Sequence, residues 1–323
     1  MLTPAQHRQF DELGYLVVPD VIPRPVIDEV LSDCAGIAAG LVREAADAGV
    51  APPGLRDAPM ERQIIELTRL TGRSLGQHFD ISFPVRGPLS GATPINLRPG
   101  MFGFLTCGPL LDLVAEIVGP EVCCNPVQHL RLKLPQDAVP AEGAGFLNAT
   151  VPWHQDIGVV AAEAEDSHIL TVWSSLNPAT VENGCLRVVA GSHRNPLLAH
   201  CKQTSTNQYS IPDPVVESLG TAVTLEMNPG DILLLSQQTV HGSLDNLTTD
   251  QLRISFDLRY QPAGEPTGRP LFAGFLARSE ANPGAVLDTW PDWVGLWEAT
   301  RSSLPPELDP ADFFRWGPAD VCA

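Results

Sequence analysis

Apolar positions change their period along this chain, and the change divides it into a helical first part and a β-rich second part. Thr3 is placed as an N-cap, Pro4 as the first helical residue and Gln6 as the partner completing a capping box; Phe10 and Leu13 share one face and Gly14 is the stop. Tyr15-Leu16-Val17-Val18, closed by Pro19, reads as a short strand. From 25 to about 48, Val26, Val30, Leu31, Cys34, Ile37, Leu41 and Ala45 recur near the helical period, which predicts a helix packed on a core. Further helices are expected at about 58–70 and 109–118, while Pro and Gly at 50–62 and 84–100 mark irregular connections.

From about residue 122 the texture becomes short β-like runs, at 127–134, 168–176, 185–189, 222–227, 231–235 and 253–260. Turn clusters such as Glu182-Asn183-Gly184, Ala190-Gly191-Ser192, Asn228-Pro229-Gly230 and Asp245-Asn246 separate them. Many short punctuated strands predict a sandwich or barrel rather than a parallel α/β sheet. Helices first and strands later suggest helices packed on an antiparallel double-sheet core, an α+β, mainly β architecture. One domain over 1–323 is expected, with a mostly helical part (1–121), a β core (122–262) and an extension (263–323) holding Trp290, Trp293, Trp297 and Trp316.

Composition narrows the function classes. With 44% hydrophobic and 18% charged residues the chain is a folded globular protein. Its formal net charge of −18 repels phosphate backbones, so nucleic acid is an unexpected partner. The sequence reads as lacking the ~20 uninterrupted apolar residues of a membrane span, and no secretory signal pattern opens it. Its cysteines are odd in number, irregularly spaced and include the adjacent Cys123 and Cys124, which suits no disulfide framework. A cytoplasmic protein, monomeric or homodimeric, acting on a small molecule is the expectation. The sequons at Asn148 and Asn246 read as chance matches.

The chemistry-bearing stretch is Val151-Pro-Trp-His-Gln-Asp-Ile157. On a strand, His154 and Asp156 would point to one face and bind one ion. His241, in Gln-Thr-Val-His-Gly-Ser, is the best third ligand. Two histidines and one carboxylate leave three octahedral positions open, which suits iron(II), a bidentate cosubstrate and O2 better than a closed zinc site. If the cosubstrate is 2-oxoglutarate, its far carboxylate needs a fixed cation. Arg253 on the next strand supplies bidentate geometry, and Ser255 shares its face.

Several motifs in order resemble the phytanoyl-CoA dioxygenase family over most of the chain. They are the opening Leu-Thr-Pro-Ala-Gln…Phe-Asp-Glu-Leu-Gly-Tyr-Leu-Val-Val-Pro-Asp, Trp-His-Gln-Asp at 153–156, Glu-Asn-Gly-Cys-Leu-Arg-Val-Val-Ala-Gly-Ser-His-Arg at 182–194, Pro-Gly-Asp at 229–231, then His241 and Arg253. The resemblance implies a double-stranded β-helix (a jelly-roll, cupin-like core) with flanking helices. It also implies iron on His154, Asp156 and His241, and a 2-oxoglutarate salt bridge to Arg253. Ser243, Trp173 and His129, the last four before a family-matching Lys133, fall where further cosubstrate contacts are usual. Related halogenases replace the ligand carboxylate with a small residue, so Asp156 implies oxygenation.

The expected reaction is oxidation of an unactivated C–H bond of a small organic substrate, by hydroxylation, desaturation or cyclisation, in natural-product biosynthesis. The alternatives are an acyl-CoA 2-hydroxylase, a cupin-like metal-dependent isomerase and a non-catalytic binding member of the fold. The segments 84–100 and 136–150 and the Trp-bearing tail are candidate lids, the tail tryptophans being equally well core residues.

Overall fold

A computed structural model describes residues 1–85, 89–140, 147, 149–203, 208–308, 315 and 322. The chain opens with α1 (Pro4–Leu13), where Thr3 and Gln6 form the reciprocal capping box and Gly14 adopts φ 75°. That left-handed turn swings the chain straight into β1 (Tyr15–Val18). There follow α2 (Arg24–Asp47), α3 (Met60–Thr71), α4 (Gly76–Phe79), α5 (Pro99–Leu105) and α6 (Gly108–Val118). The β-rich part holds β2 (Val122–Cys124), β3 (His129–Lys133), β4 (Leu170–Ser175), β5 (Leu186–Val189), β6 (Cys201–Lys202) and β7 (Tyr209–Ser210). After α7 (Asp213–Leu219) come β8 (Ala222–Leu225), β9 (Ile232–Ser236), β10 (His241–Ser243), β11 (Arg253–Pro262), β12 (Phe275–Arg278) and α8 (Trp290–Ser303).

Seven strands form the larger sheet, in the order β1-β9-β4-β11-β2-β12, with β3 also pairing β11. A smaller sheet, β10-β5-β8, faces it and completes the jelly roll. Tyr15–Val18 from the helical part and Phe275–Arg278 from the extension are thus strands of the same sheet as the β core.

Strand alternation explains how this sheet serves two purposes. On β11, Ile254, Phe256, Leu258 and Tyr260 enter the main apolar core with the helices, where Phe104 and Phe256 rings lie 4.4 Å apart. The alternate residues Arg253, Ser255, Asp257, Arg259 and Gln261 are all polar and all buried, so they line the opposite, inner face. Part of that face is apolar: Tyr15, Trp173, Leu233 and Leu235 pack on Leu186, Val188 and Leu225 of the smaller sheet.

The helical layer is held by close approach. Helix α2 buries Ile27, Val30, Cys34, Ala38 and Val42 along one stripe. Gly100 of α5 sits so near it that a Cβ would stand 2.8 Å from the Glu29 carbonyl carbon. Pro99–Val118 is long and apolar enough, by length and composition, to cross a membrane, which the sequence reading missed because Asp112 and Glu116 interrupt the run. The helix is interrupted there between Leu105 and Gly108, and both α5 and α6 bury apolar residues in this layer.

Two expectations fall here. The span 84–100 ends in helix α5 rather than in a loop. Trp293 and Trp297 are buried in the core against Phe102, Phe83 and Phe272, and they are not lid residues. Of the proposed lid at 136–150, residues 141–146 and Asn148 lie outside the described residues, as does Trp316. Asn246 is fully buried and donates to the Lys133 carbonyl, so it is closed to glycosylation.

The cysteine reading also needs correction: Cys201 and Cys322 form a disulfide across 121 residues of sequence. An odd total with one distant pair gives no spacing signal, and the cysteines no longer argue for a reducing compartment. Denatured protein should therefore titrate five thiols without reductant, those of Cys34, Cys107, Cys123, Cys124 and Cys185. Seven thiols without reductant would contradict the pairing.

Candidate metal and keto-acid site

The metal motif is not a strand. His154 makes an isolated antiparallel bridge to His241, N–H to carbonyl in both directions at 2.9 and 3.0 Å, and Asp156 begins a short 3₁₀ turn, Asp156–Val159. Residues facing one another across such a bridge project their side chains to the same side, and the imidazole centroids are 4.2 Å apart. The turn then folds the carboxylate back toward both rings. Gln155 points the other way and staples this loop, donating to the carbonyls of Gln238 (2.8 Å) and Pro196 (3.2 Å) while accepting from Leu198 N–H.

The donor atoms of His154, Asp156 and His241 all lie within 4.8 Å of one another, and all three residues are buried. Each imidazole places Nδ1 2.9 Å from a carbonyl, of Pro152 and Thr239 respectively. A ring bonded to a carbonyl through Nδ1–H presents the Nε2 lone pair. Those Nε2 atoms stand 3.5 and 3.9 Å from Asp156 Oδ1 and Oδ2. Burial, and then the neighbouring His154, lower the His241 pKa to about 4, which keeps it neutral as a ligand must be. For Asp156, burial would raise the pKa, but Arg259 first and then the two histidines outweigh it and hold the carboxylate ionised. Two imidazole nitrogen donors and one anionic oxygen fit a divalent transition metal.

The second feature lies along β11. Arg253 is fully buried, and its Nε and one Nη have no hydrogen-bond partner. Its guanidinium carbon lies 5.2 Å from the Trp173 ring centre. Lys133 sits directly across the β3–β11 pair from it, donating to Ser243 Oγ (2.9 Å) and Thr150 Oγ1 (3.1 Å). Ser255 Oγ is also unpartnered. Unsatisfied buried donors are costly, and two of them on one buried cation, beside an unpartnered hydroxyl, call for an anion. Burial lowers the Arg253 pKa to about 10 and, with Arg253 nearby, that of Lys133 to about 6.

Lys133 gives a pH dependence whose sign is fixed. Between about pH 6 and its ordinary value of 10.5, the unfolded chain binds a proton that the folded chain has released. Its contribution to stability therefore rises with pH through that window and is lost as pH falls toward 6. Without cosubstrate, the unfolding free energy of wild type relative to Lys133→Met should climb by about 1.4 kcal/mol per pH unit between about pH 7 and 9. A pH-independent difference in urea titrations would show that Lys133 stays charged.

Of the residues read from sequence, the structure gathers His154, Asp156 and His241 at one point, and Arg253, Trp173 and Ser243 at another. His129 sits four residues along β3 from Lys133, opposite Asp257, with Nδ1 3.0 Å from Asp80 Oδ2. The sequence reading did not reach Thr171, Arg259, Asp257 and Arg131. Thr171 Oγ1 donates to Asp156 Oδ2 (2.5 Å), Arg259 Nη2 donates to Oδ1 (2.7 Å), and Asp257 pairs with both Arg259 and Arg131. For Asp257 and Arg259 the signal is present in the polar alternation of β11, which continues past Ser255, whereas Arg131 on β3 and Thr171 on β4 meet them only through strand register.

A jelly roll that gathers two imidazoles and an ionised carboxylate, with an unsatisfied buried guanidinium on its inner face, has the build of the non-haem iron, keto-acid-using oxygenases. Comparison with known proteins agrees. The family model for phytanoyl-CoA dioxygenase matches residues 10–255. The chain belongs to that family. It is 32% identical over 119 residues to the multifunctional dioxygenase ausE of Emericella nidulans, 36% of each chain. It is 26% identical over 154 residues to a probable phytanoyl-CoA dioxygenase of Caenorhabditis elegans, 46% of this chain and 47% of that one. The match thus spans between a third and a half of these relatives. Among solved structures, the apo non-heme monooxygenase ThoJ superposes with a TM-score of 0.56 at 18% identity, covering 91% of this chain and 95% of that one, a likeness of fold.

Proposed function

We propose that this protein is an Fe(II)- and 2-oxoglutarate-dependent dioxygenase that hydroxylates an unactivated C–H bond of a small organic natural product. The observation that carries the reading is the unsatisfied Arg253 guanidinium, buried on the inner face of the strand that also carries Arg259, the partner of Asp156. A metal site alone would serve many reactions. A metal site with a waiting buried cation serves a keto acid.

His154, Asp156 and His241 would hold the iron, which supplies dioxygen activation coupled to oxidative decarboxylation of the cosubstrate. Arg253, with Nε and Nη1 unpartnered, offers the far carboxylate a buried guanidinium, and Ser255 Oγ offers a further donor. Trp173 covers one face of that guanidinium and keeps it dry, which strengthens the ion pair. Lys133, fixed by Ser243 and Thr150, sits beside it and can take up a proton when the dianion arrives. Asp156 keeps the site an oxygenase by occupying the ligand position with a carboxylate.

The natural-product reading draws on the likeness to ausE and on the acidic chain, which disfavours a polyanionic CoA ester. A screen of candidate metabolites for substrate-stimulated succinate release tests it. Hydroxylation gives a product that has gained an oxygen atom, whereas desaturation or ring closure gives one that has lost two hydrogens. A product formed without succinate would sink the reading.

A further inference from the structure

Both oxygens of Asp156 are already engaged, by partners on adjacent strands. Arg259 and Thr171 lie directly opposite one another in the β11–β4 register. The guanidinium takes Oδ1 at 2.7 Å and the hydroxyl takes Oδ2 at 2.5 Å. Without them the carboxylate could offer both oxygens to a cation between the histidines, since Oδ1 and Oδ2 lie at similar distances from the two Nε2 atoms, 3.5 and 3.9 Å.

The two grips are unequal. Both bonds are charge-assisted at the ionised carboxylate, but only Arg259 brings a full opposite charge of its own. Arg259 is also immobilised: its Nη1 lies 3.4 Å from both Asp257 Oδ1 and the Val127 carbonyl, and Arg131 holds the other oxygen of Asp257. The row Asp156, Arg259, Asp257, Arg131 alternates in charge and sums to zero, so Arg259 stays charged although buried.

We propose that Arg259 is a positioning residue that withholds Oδ1 of Asp156 from the metal, so that the carboxylate donates one oxygen and coordination positions stay open for the keto acid. The inference rests on the function proposed above. It has a consequence that simple structural support lacks. Removing Arg259 frees a second donor oxygen and removes a cation that repels a divalent ion, so the metal is held at least as well while the cosubstrate is held less well.

The test uses redox-inert Mn(II) on purified full-length protein, with Mn(II) binding read by electron paramagnetic resonance. Binding of 2-oxoglutarate to the Mn(II)-loaded form is read by calorimetry, and melting is recorded alongside. Arg259→Gln should keep or improve Mn(II) affinity while weakening 2-oxoglutarate roughly tenfold or more. Arg259→Lys keeps the charge without the planar fork and should weaken 2-oxoglutarate by roughly threefold to tenfold at unchanged Mn(II) affinity; it carries the test if the glutamine variant does not fold. Equal losses of metal and cosubstrate, or unchanged 2-oxoglutarate binding, would overturn the inference and leave the proposed function standing. A wild type that binds Mn(II) but no 2-oxoglutarate would overturn both.

Discussion

Asp156→Ala should abolish tight iron binding and lower 2-oxoglutarate turnover by roughly three orders of magnitude, a loss of about 4 kcal/mol in transition-state stabilisation. Two imidazoles would remain, but the environment makes the loss worse than the subtraction of one ligand. Arg259 Nη2 stands 2.7 Å from the vanished oxygen and is fully buried. In the variant that cation faces the metal position with Asp257 as its one remaining carboxylate partner. Repulsion between a buried guanidinium and a divalent ion then adds to the missing bond. Equilibrium dialysis of iron(II) under anaerobic conditions, with succinate release as the functional readout, checks both parts. Iron affinity close to that of wild type would mean that Asp156 is not a ligand.

Arg253→Leu should separate stability from binding. In the free protein two guanidinium nitrogens are buried without partners, so replacing the side chain with a hydrocarbon leaves folding unchanged or slightly improved. The cosubstrate has more to lose. A fully desolvated guanidinium–carboxylate pair broken on one side typically costs 2–5 kcal/mol, so the KM for 2-oxoglutarate should rise by roughly two orders of magnitude or more, with iron affinity retained. Thermal melting and steady-state kinetics on the same preparation read the two effects. A destabilised variant with an unchanged KM would reduce Arg253 to a structural residue.

Much of this architecture is legible in the residues because local and tertiary signals coincide. Thr3, Pro4, Gln6 and Gly14 mark α1 at both ends, and the structure uses each for the purpose its chemistry suggests. The runs at 168–176, 231–235 and 253–260 become β4, β9 and β11, with ends shifted by one or two residues. Period alone does not give register, and register is what makes the site. Nothing local reveals that Arg253 faces Lys133 or that Arg259 faces Thr171, because those pairings follow from how β3, β4 and β11 assemble.

The three candidate ligands come together, but not on the strand that their spacing predicts. His154 and Asp156 reach a common point through a bridge and a 3₁₀ turn, and a pattern of two residues cannot distinguish that from a strand. Helix α5 was hidden because Pro99 and Gly100 look like loop residues, although proline suits a first helical turn. Gly100 is there because of its contact with α2, which only the packed structure contains. The Cys201–Cys322 pair was hidden for the same reason. Arg259 differs from these, since continuing the alternation of β11 by two more strand steps past Ser255 would have found it.

The central claim is that one site binds iron(II) and a keto acid together, and anaerobic titration of the wild-type protein tests it most directly. Iron(II) followed by 2-oxoglutarate should produce a weak visible metal-to-ligand charge-transfer band that saturates at one equivalent of each and is absent in Asp156→Ala. A wild-type protein that gives no such band and consumes no 2-oxoglutarate in air would contradict the account.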